Sequence, residues 1–280
     1  GQRYFGEPIR RTEDIRLTTG QGHYLDDIGA GQPVLEAAFL RSPHANARIR
    51  SIDIADALDV EGVRAIYLYE DLAGPVAEPL PVLIPHPALT APRTPYALAK
   101  DRVHHVGQAV AMVVAENRYL AEDAAERIVV DYEVLPAVAS LDMARAAERH
   151  AHDDVPDNIS AHLLQTVGDL DAGFAKATHT LEFDLHAARS APTPLEGKGV
   201  YAKWDADDSS LRVYSSTQAS TSVRAAIAAK LEIPLLKVEV IAPDVGGGFG
   251  VKIAHPWPEE IMVPFAAIRL GQPVKWAEDR

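Results

Sequence analysis

The first third of the chain alternates apolar and polar residues over short runs. Three such runs, at 33–42, 47–54 and 62–69, are rich in apolar and β-branched residues and are separated by Gly, Pro and Asp. This pattern predicts three strands. A stretch with seven prolines follows at 75–95. Because proline removes a backbone donor and fixes φ, we expect an extended loop that is functional or wraps a neighbouring part of the molecule.

The next unit combines two apolar runs with a helical pattern. The continuous apolar run at 108–116 predicts a strand, and a second strand is predicted at 129–138. Between them, residues 117–128 repeat apolar positions at helical spacing, and Asn117 is the expected N-cap. This order predicts a β-α-β unit in a first domain that mixes helix and sheet.

The chain then becomes polar at 139–160, which we interpret as a linker. His150, His152, Asp153 and Asp154 cluster there without the fixed spacing of metal ligands, so we interpret them as solvated linker residues.

The second segment again combines short strands with helices. The patterns predict a helix capped by Ser220 or Thr221, a hairpin turn at 205–210, and the following elements: strands at 179–188, 199–206, 210–217 and 235–242, and helices at 220–233 and 259–270. Because the pattern changes at 139–160, we expect residues from about 160 to form a separate α/β layer. Strands 108–116 and 235–242 should then belong to different sheets.

The amino-acid composition excludes several classes of function. The net charge of −13 and the absence of a basic cluster argue against nucleic-acid binding. The chain has no cysteine, which excludes disulfides, iron–sulfur ligation and thiol catalysis by its own residues. No apolar run approaches the ~20 residues of a membrane span, and no apolar segment follows Arg10–Arg11 to form a secretory signal. We therefore expect a cytoplasmic protein without membrane or nucleic-acid partners.

The most unusual stretch is PDVGGGFGVK at 243–252, which follows a predicted strand. It fits neither the phosphate-binding pattern, since Val251 precedes Lys252 and Ile253 follows it, nor the dinucleotide pattern, whose last glycine would fall on Val251. Four glycines in five positions leave backbone without side chains, which permits a close approach by another group.

Four motifs in order resemble one protein family. RSAPTPLEGKG (189–199), SSTQAS (215–220), PDVGGGFGVK (243–252) and LGQPVKWAEDR (270–280) are similar to segments of the large subunit of molybdenum hydroxylases, the family of xanthine dehydrogenase, aldehyde oxidase and aerobic carbon monoxide dehydrogenase. The match is close to the carbon monoxide dehydrogenase-like branch. The N-terminal half resembles the family's α/β hammerhead domain.

The resemblance implies an α+β fold and a domain order. We expect an N-terminal arm at 1–17, the α/β hammerhead domain at 18–138, the linker at 139–160, and the first, incomplete part of a molybdopterin-binding α+β domain at 161–280.

The resemblance also implies a cofactor site. In the family, backbone amides of the glycine loop point at oxygen ligands of the molybdenum, and here these would be Gly247, Gly248, Phe249 and Gly250. Phe249 would add an apolar wall that keeps the site dry. Gln218 matches the family glutamine that hydrogen-bonds a molybdenum oxygen. Molybdenum is held by the pterin, so no side chain is expected to bind the metal.

No catalytic residue is expected in this chain, because the family's general base is a glutamate near the end of a much longer subunit. Glu196 is interpreted as a structural carboxylate that holds loops. Purine-oxidising members carry a glutamate directly after the loop lysine, where this chain has Ile253, so xanthine is a poor candidate substrate.

The implied function is a part of the large subunit of a molybdenum hydroxylase, which inserts a water-derived oxygen into an aldehyde, an N-heterocycle or a carbon monoxide-like substrate. The expected cofactor is molybdenum-molybdopterin in its cytosine dinucleotide form, with FAD and [2Fe–2S] clusters on partner chains. The remaining large-subunit segment is a further expected partner. The alternative is a non-catalytic pterin-binding or scaffold fragment, and we expect the chain alone to be inactive.

Overall fold

The computed structural model describes residues 4–82, 84–253 and 256–279. Its ten strands are β1 (Leu35–Arg41), β2 (Ala47–Asp53), β3 (Val63–Tyr67), β4 (Arg102–Val103), β5 (Ala109–Ala115), β6 (Val129–Val134), β7 (Gly199–Asp205), β8 (Ser210–Ser215), β9 (Val238–Ile241) and β10 (Val274–Ala277). Its α-helices are α1 (Asp14–Thr18), α2 (Ala55–Leu58), α3 (Arg118–Glu126), α4 (Leu141–Ala146), α5 (Leu170–Lys176), α6 (Ser220–Lys230) and α7 (Pro258–Leu270). None of these helices is long and apolar enough to cross a membrane.

A seven-stranded sheet runs through the molecule in the order β3-β5-β1-β10-β7-β8-β9. Strands β1 and β10 pair in parallel, as do β8 and β9, and the remaining neighbours are antiparallel. The β1–β10 pair aligns Leu35 with Val274 and so joins the first part of the chain to its last strand. The predicted separation of strands 108–116 and 235–242 into different sheets is therefore wrong, because β10 bridges the two halves of one sheet.

Both faces of strand β5 are covered, which explains its continuous apolar sequence. Met112 and Val114 point into a core shared with α6 and α7, whereas Ala111 and Val113 pack in a cluster with α3. A strand buried on both faces does not alternate apolar and polar residues. The predicted strand is confirmed, and the Asn117 side chain accepts a hydrogen bond from the Leu120 amide as the predicted N-cap of α3.

The predicted β-α-β unit is only partly correct. Its strands and helix form, but β5 belongs to the large sheet and β6 to a second, three-stranded sheet in the order β4-β2-β6. Strand β6 pairs antiparallel with β2 instead of returning beside β5. The local sequence pattern predicted the two strands and the helix. It could not predict the pairing, because β6 pairs with β2, which lies far from it in the sequence.

The proline-rich loop packs against the second half of the chain. Lys230 at the end of α6 is buried, and its Nζ donates to the carbonyl oxygens of Pro75, Glu78 and Pro79 at 2.7–2.8 Å. Leu80 is buried in the same core as α6. Burial lowers the pKa of Lys230. The prediction that this loop wraps a neighbouring part of the molecule is confirmed.

Two other expectations fail. Residues 179–188 form no strand and are exposed along their whole length. Helix α6 has Ala219 as its N-cap, and the Thr217 hydroxyl accepts from the Ala219 amide, so neither Ser220 nor Thr221 caps it. The predicted linker contains a short helix, α4. The hairpin between β7 and β8 forms as predicted, with Asp205 opposite Ser210.

Candidate functional site

The glycine loop follows β9 and lies beside the turn between β8 and α6. Three of its residues have positive φ: Gly247 at 101°, Phe249 at 50° and Gly250 at 94°. This is the left-handed region, which glycine adopts readily and β-branched residues avoid. The Phe249 side chain is 72% exposed and lies against Gly247, where an added Cβ would be 3.0 Å from the ring.

Gln218 and Gly248 are in close contact. A Cβ on Gly248 would lie 2.5 Å from both Cδ and Oε1 of Gln218, so any side chain there would displace the amide. The Gly250 amide donates to Gln218 Oε1 at 3.1 Å, and the Gln218 backbone amide donates to the Lys252 carbonyl at 2.8 Å. These contacts hold the Gln218 side chain in place. Its amide Nε2 group has no acceptor among the described residues and is therefore the donor available to a ligand.

The backbone amides in the centre of the loop are available. Within the described part of the chain, the amides of Gly247, Gly248 and Phe249 have no protein acceptor. The neighbouring amides are bonded, since Gly246 donates to Glu196 and Gly250 to Gln218. Successive backbone N–H groups in such a turn form an anion-binding concavity. The structure thus places Gln218 against Gly248 and leaves three of the four predicted loop amides without an acceptor among the described residues, while the fourth, on Gly250, donates to Gln218.

A buried ion pair supports the loop from below. The Lys252 side chain is 0% exposed, and its Nζ lies 2.9 Å from Glu196 Oε2. It also donates to the Glu196 carbonyl at 3.0 Å and to the Ser216 hydroxyl at 2.7 Å. The same Glu196 oxygen accepts from Ser216 and from the Gly246 amide, both at 2.7 Å. Glu196 therefore joins three segments of chain, which confirms its interpretation as a structural carboxylate.

Two effects oppose each other at the Glu196 carboxyl. Burial raises its pKa, but hydrogen bonds from Gly246, Ser216 and Lys252 outweigh the burial and hold the pKa below its ordinary value. The carboxylate is therefore ionised at neutral pH and matches the charge of Lys252.

The start of the loop is tied to the N-terminal region. Asp244 forms a bidentate ion pair with Arg16 and also accepts from the His23 amide at 2.7 Å. The Asp244 amide donates back to the His23 carbonyl at 3.0 Å. The Arg16 hydrogen bonds are the main reason that the pKa of Asp244 lies well below its ordinary value.

A cleft of about 420 Å³ opens beside the loop. Its walls include Pro194, Lys198, Val251 and Trp257. The Lys198 ammonium lies 3.3 Å from the centroid of the Trp257 ring, which is within cation–π range. The cleft therefore combines an apolar wall with charged groups of both signs, since Lys198, Glu278 and Asp279 also line it.

The sequence matches two domain families. Residues 19–136 match the aldehyde oxidase and xanthine dehydrogenase a/b hammerhead domain. Residues 151–280 match the molybdopterin cofactor-binding domain. The chain belongs to the molybdenum hydroxylase family. Its large-subunit resemblance and its α+β fold class are both confirmed, and the boundaries at 138 and 160 remain predictions.

Relatives in this family are considerably longer. The nicotine 6-hydroxylase large subunit of Paenarthrobacter nicotinovorans is 38% identical over 98% of this chain, which covers 33% of that relative. The carbon monoxide dehydrogenase large chain of Afipia carboxidovorans is 36% identical, with 97% and 34% covered. Quinoline 2-oxidoreductase from Pseudomonas putida 86 superposes with a TM-score of 0.83 at 36% identity, covering 97% of this chain and 34% of that one. The chain spans about one third of the length of these molybdenum hydroxylases.

Sequence reasoning missed much of the support for the loop. Ser216 precedes the quoted glutamine by two residues, and Arg16 lies more than two hundred residues from Asp244. No local pattern connects such distant partners. Within the described residues, no group of three or more His, Cys, Asp or Glu side chains is placed to hold a metal ion.

Proposed function

We propose that this chain forms part of the molybdopterin site in the large subunit of a molybdenum hydroxylase. The observation that carries the proposal is the contact between Gly248 and Gln218, beside three amides that have no acceptor among the described residues. When bound, the molybdenum cofactor would supply the oxidation that hydroxylates a small molecule with oxygen derived from water.

The amides of Gly247, Gly248 and Phe249 act as fixed donors toward electronegative atoms of the cofactor. Preorganised N–H groups stabilise developing negative charge without reorganising during the reaction. Gly248 lets the loop lie against Gln218, because a Cβ there would overlap the side-chain amide. The residues fit the cofactor because they supply neutral donors, two of them on glycines that have no side chain.

Gln218 adds a directional donor. Its Oε1 accepts from the Gly250 amide at 3.1 Å, which orients Nε2 as the available donor toward the cofactor. Gly250 thus acts through Gln218, as a positioning residue. Phe249 is exposed in this chain, and we propose that its ring excludes water from the assembled site.

The substrate is a small organic molecule other than a purine. The position after the loop lysine holds Ile253, an apolar residue that cannot hydrogen-bond a purine. The relatives are named for nicotine and carbon monoxide, and a solved neighbour for quinoline. We propose an N-heterocycle or an aldehyde.

The cofactor is proposed in its cytosine dinucleotide form. FAD and [2Fe–2S] clusters on partner chains would receive the electrons, since this chain has no cysteine to bind a cluster. The partners are these subunits and the large-subunit segment that the chain does not cover. We propose a cytoplasmic assembly.

The test measures cofactor content in the assembled enzyme that contains this chain. Gly250→Val, Gly250→Ala, Gly248→Ala and Gln218→Ala are compared by molybdenum and pterin per chain, and by turnover per bound molybdenum. Gly250→Val should lower turnover about a hundredfold, because valine opposes the 94° φ and the backbone change displaces the loop amides together with Gln218. Gly250→Ala should be milder, because alanine lacks the β-branch with which valine opposes the 94° φ. Gln218→Ala should be milder still, because water can replace its amide.

The matched control is Gly173→Ala, at a glycine whose added Cβ would contact nothing within 4 Å. It should leave metal, pterin and turnover unchanged. Wild-type content and turnover in both Gly250→Val and Gly248→Ala would show that the loop is only a turn. Wild-type enzyme with pterin but no turnover would instead favour the scaffold function.

A further inference from the structure

The apolar alternation at 180–186 has no partner in this chain. Leu181, Phe183 and Leu185 are 81%, 71% and 93% exposed. The residues between and beside them are polar: Thr180, Glu182, Asp184 and His186. Such strict alternation over seven residues is typical of a strand with one buried face. No strand pairs with these residues within the described chain.

Exposed apolar clusters of this kind mark interaction sites. Single exposed apolar residues are common, but a contiguous apolar face rimmed by charges is unusual on a monomer. The neighbouring stretch is also exposed, from His162 to Leu170. Residues 180–186 have no backbone hydrogen bond within the described chain, and their alternation gives an apolar face when they are extended; these are the two requirements for β-strand addition.

We propose that residues 180–186 form a β-strand against the polypeptide that corresponds to the two thirds of the relatives' length this chain does not cover. The relatives align with 97–98% of this chain, so the segment belongs to the matched region, yet the chain covers only 33–34% of their length. The apolar face meets an apolar sheet surface of that polypeptide. The inference rests on the proposed function, because it takes the chain to be part of a larger subunit.

Charge disfavours a second copy of this chain as the occupant. An antiparallel pair of copies centred on Phe183 places Glu182 opposite Asp184 twice, and an in-register parallel pair places each carboxylate opposite itself. Like charges directly opposite are destabilising in a sheet. The net charge of −13 adds repulsion between copies. A partner strand with basic residues opposite Glu182 and Asp184 avoids both costs.

The experiment co-expresses the full 280-residue chain with a defined probe. The probe is the part of the Paenarthrobacter nicotinovorans nicotine 6-hydroxylase large subunit that lies beyond the region matched by this chain. Wild-type chain is compared with Leu181→Asp/Phe183→Asp. The control is Tyr119→Asp, a comparably exposed aromatic on α3. Co-purified probe and hydrogen exchange at 180–186 are measured.

Wild type and Tyr119→Asp should retain the probe, and the double variant should retain at least about tenfold less. Exchange at 180–186 should slow at least about tenfold in the complex relative to the chain alone. Equal retention by the double variant, or no retention by wild type, would refute the proposal. Protection of 180–186 in a dimer of the chain alone would assign the strand to a second copy.

The two proposals fail in different ways. A complex that depends on Leu181 and Phe183 but binds no molybdenum or pterin would refute the cofactor site and leave the interface intact. A complex that binds both but tolerates the double variant would do the reverse. Thermal unfolding of the isolated variants should match wild type, because these side chains are exposed.

Discussion

Residues 109–115 and residues 180–186 both carry strand patterns, but only the first of these two stretches forms a strand. Residues 109–115 are at most 2% exposed in β5, with helices packed over both faces. Leu181, Phe183 and Leu185 are 71–93% exposed and belong to no sheet. Both stretches have suitable β-propensity, and the difference lies in whether the chain offers a partner.

This difference limits what a local pattern can determine. The pattern states which side chains would share a face, but a ladder of hydrogen bonds needs a second strand, and packing needs a cover. Strand β5 has β1 on one side and β3 on the other. Residues 180–186 have neither, so their apolar face contributes nothing to the stability of this chain alone.

The largest effect should come from truncating equivalent apolar residues in the two stretches. Met112→Ala removes a side chain that is fully buried in β5, and we expect it to lower the free energy of unfolding by about 4 kcal/mol. Phe183→Ala, at the exposed stretch, should change it by less than about 0.5 kcal/mol. Denaturant unfolding of the isolated chain measures both values.

The m-value provides the internal control, since an unchanged slope shows that both variants unfold from a comparable native state. A loss from Phe183→Ala approaching that from Met112→Ala would mean that residues 180–186 are covered in the isolated chain. The proposed difference between the covered strand β5 and the uncovered residues 180–186 would then be wrong.

Sequence reasoning succeeded where neighbours in the chain decide the outcome. The Asn117 cap and the hairpin between β7 and β8 depend on residues a few positions apart. It failed where distant residues decide, as in the parallel pairing of Leu35 with Val274. The glycine loop was found because its composition is unusual, but its conformation depends on Gln218 and Glu196, which lie in other segments.

The next prediction tests whether burial also has a large effect on stability at a polar group, the carboxyl of Glu260. Glu260 at the start of α7 is buried, accepts from the Ser215 hydroxyl at 2.7 Å, and has its pKa raised by burial to about 7. The folded state therefore binds a proton more tightly than the unfolded chain. Stability should fall by roughly 3 kcal/mol as pH rises from 4.5, the ordinary pKa of a glutamate, to about 7, and remain level above it.

Glu260→Gln cannot ionise and should lack this fall. The measurement is the free energy of unfolding of both proteins at about pH 5 and about pH 8. Glu239→Gln, at an exposed carboxylate paired with Arg212, is the matched control and should follow wild type. Parallel pH profiles for wild type and Glu260→Gln would show that folding leaves the pKa of Glu260 unchanged and would contradict the prediction.

The buried Lys252–Glu196 ion pair at the glycine loop is a third region to compare with the covered sheet and the exposed segment. Lys252 Nζ contacts Glu196 and Ser216, whereas Phe249, three residues earlier, is mostly exposed. The Lys252 end of the loop is therefore buried and hydrogen-bonded, whereas Phe249 is open to solvent. This arrangement predicts that the stability of the loop depends on its buried end and its binding capacity on the available amides.

The smallest of the three effects tests that buried end. Lys252→Met keeps a long side chain but removes the cation, and breaking a buried pair commonly costs 3–5 kcal/mol because a charge remains unpaired. Here Glu196 keeps the donors of Ser216 and Gly246, so we expect a loss of about 2 kcal/mol at neutral pH.

The stability lost in Lys252→Met should depend on pH, and its direction follows from the pKa of Glu196. Because the folded pKa of Glu196 is lowered, its contribution is present above the unfolded pKa and is lost as pH falls through the folded value. Without Lys252 that pKa rises, so the difference between variant and wild type should shrink toward acid pH. Lys237→Met removes an exposed cation paired with Asp208 and should cost less than about 0.5 kcal/mol. Equal losses from the two lysine variants, measured by denaturant unfolding, would show that burial gives the Lys252 pair no special role beneath the loop.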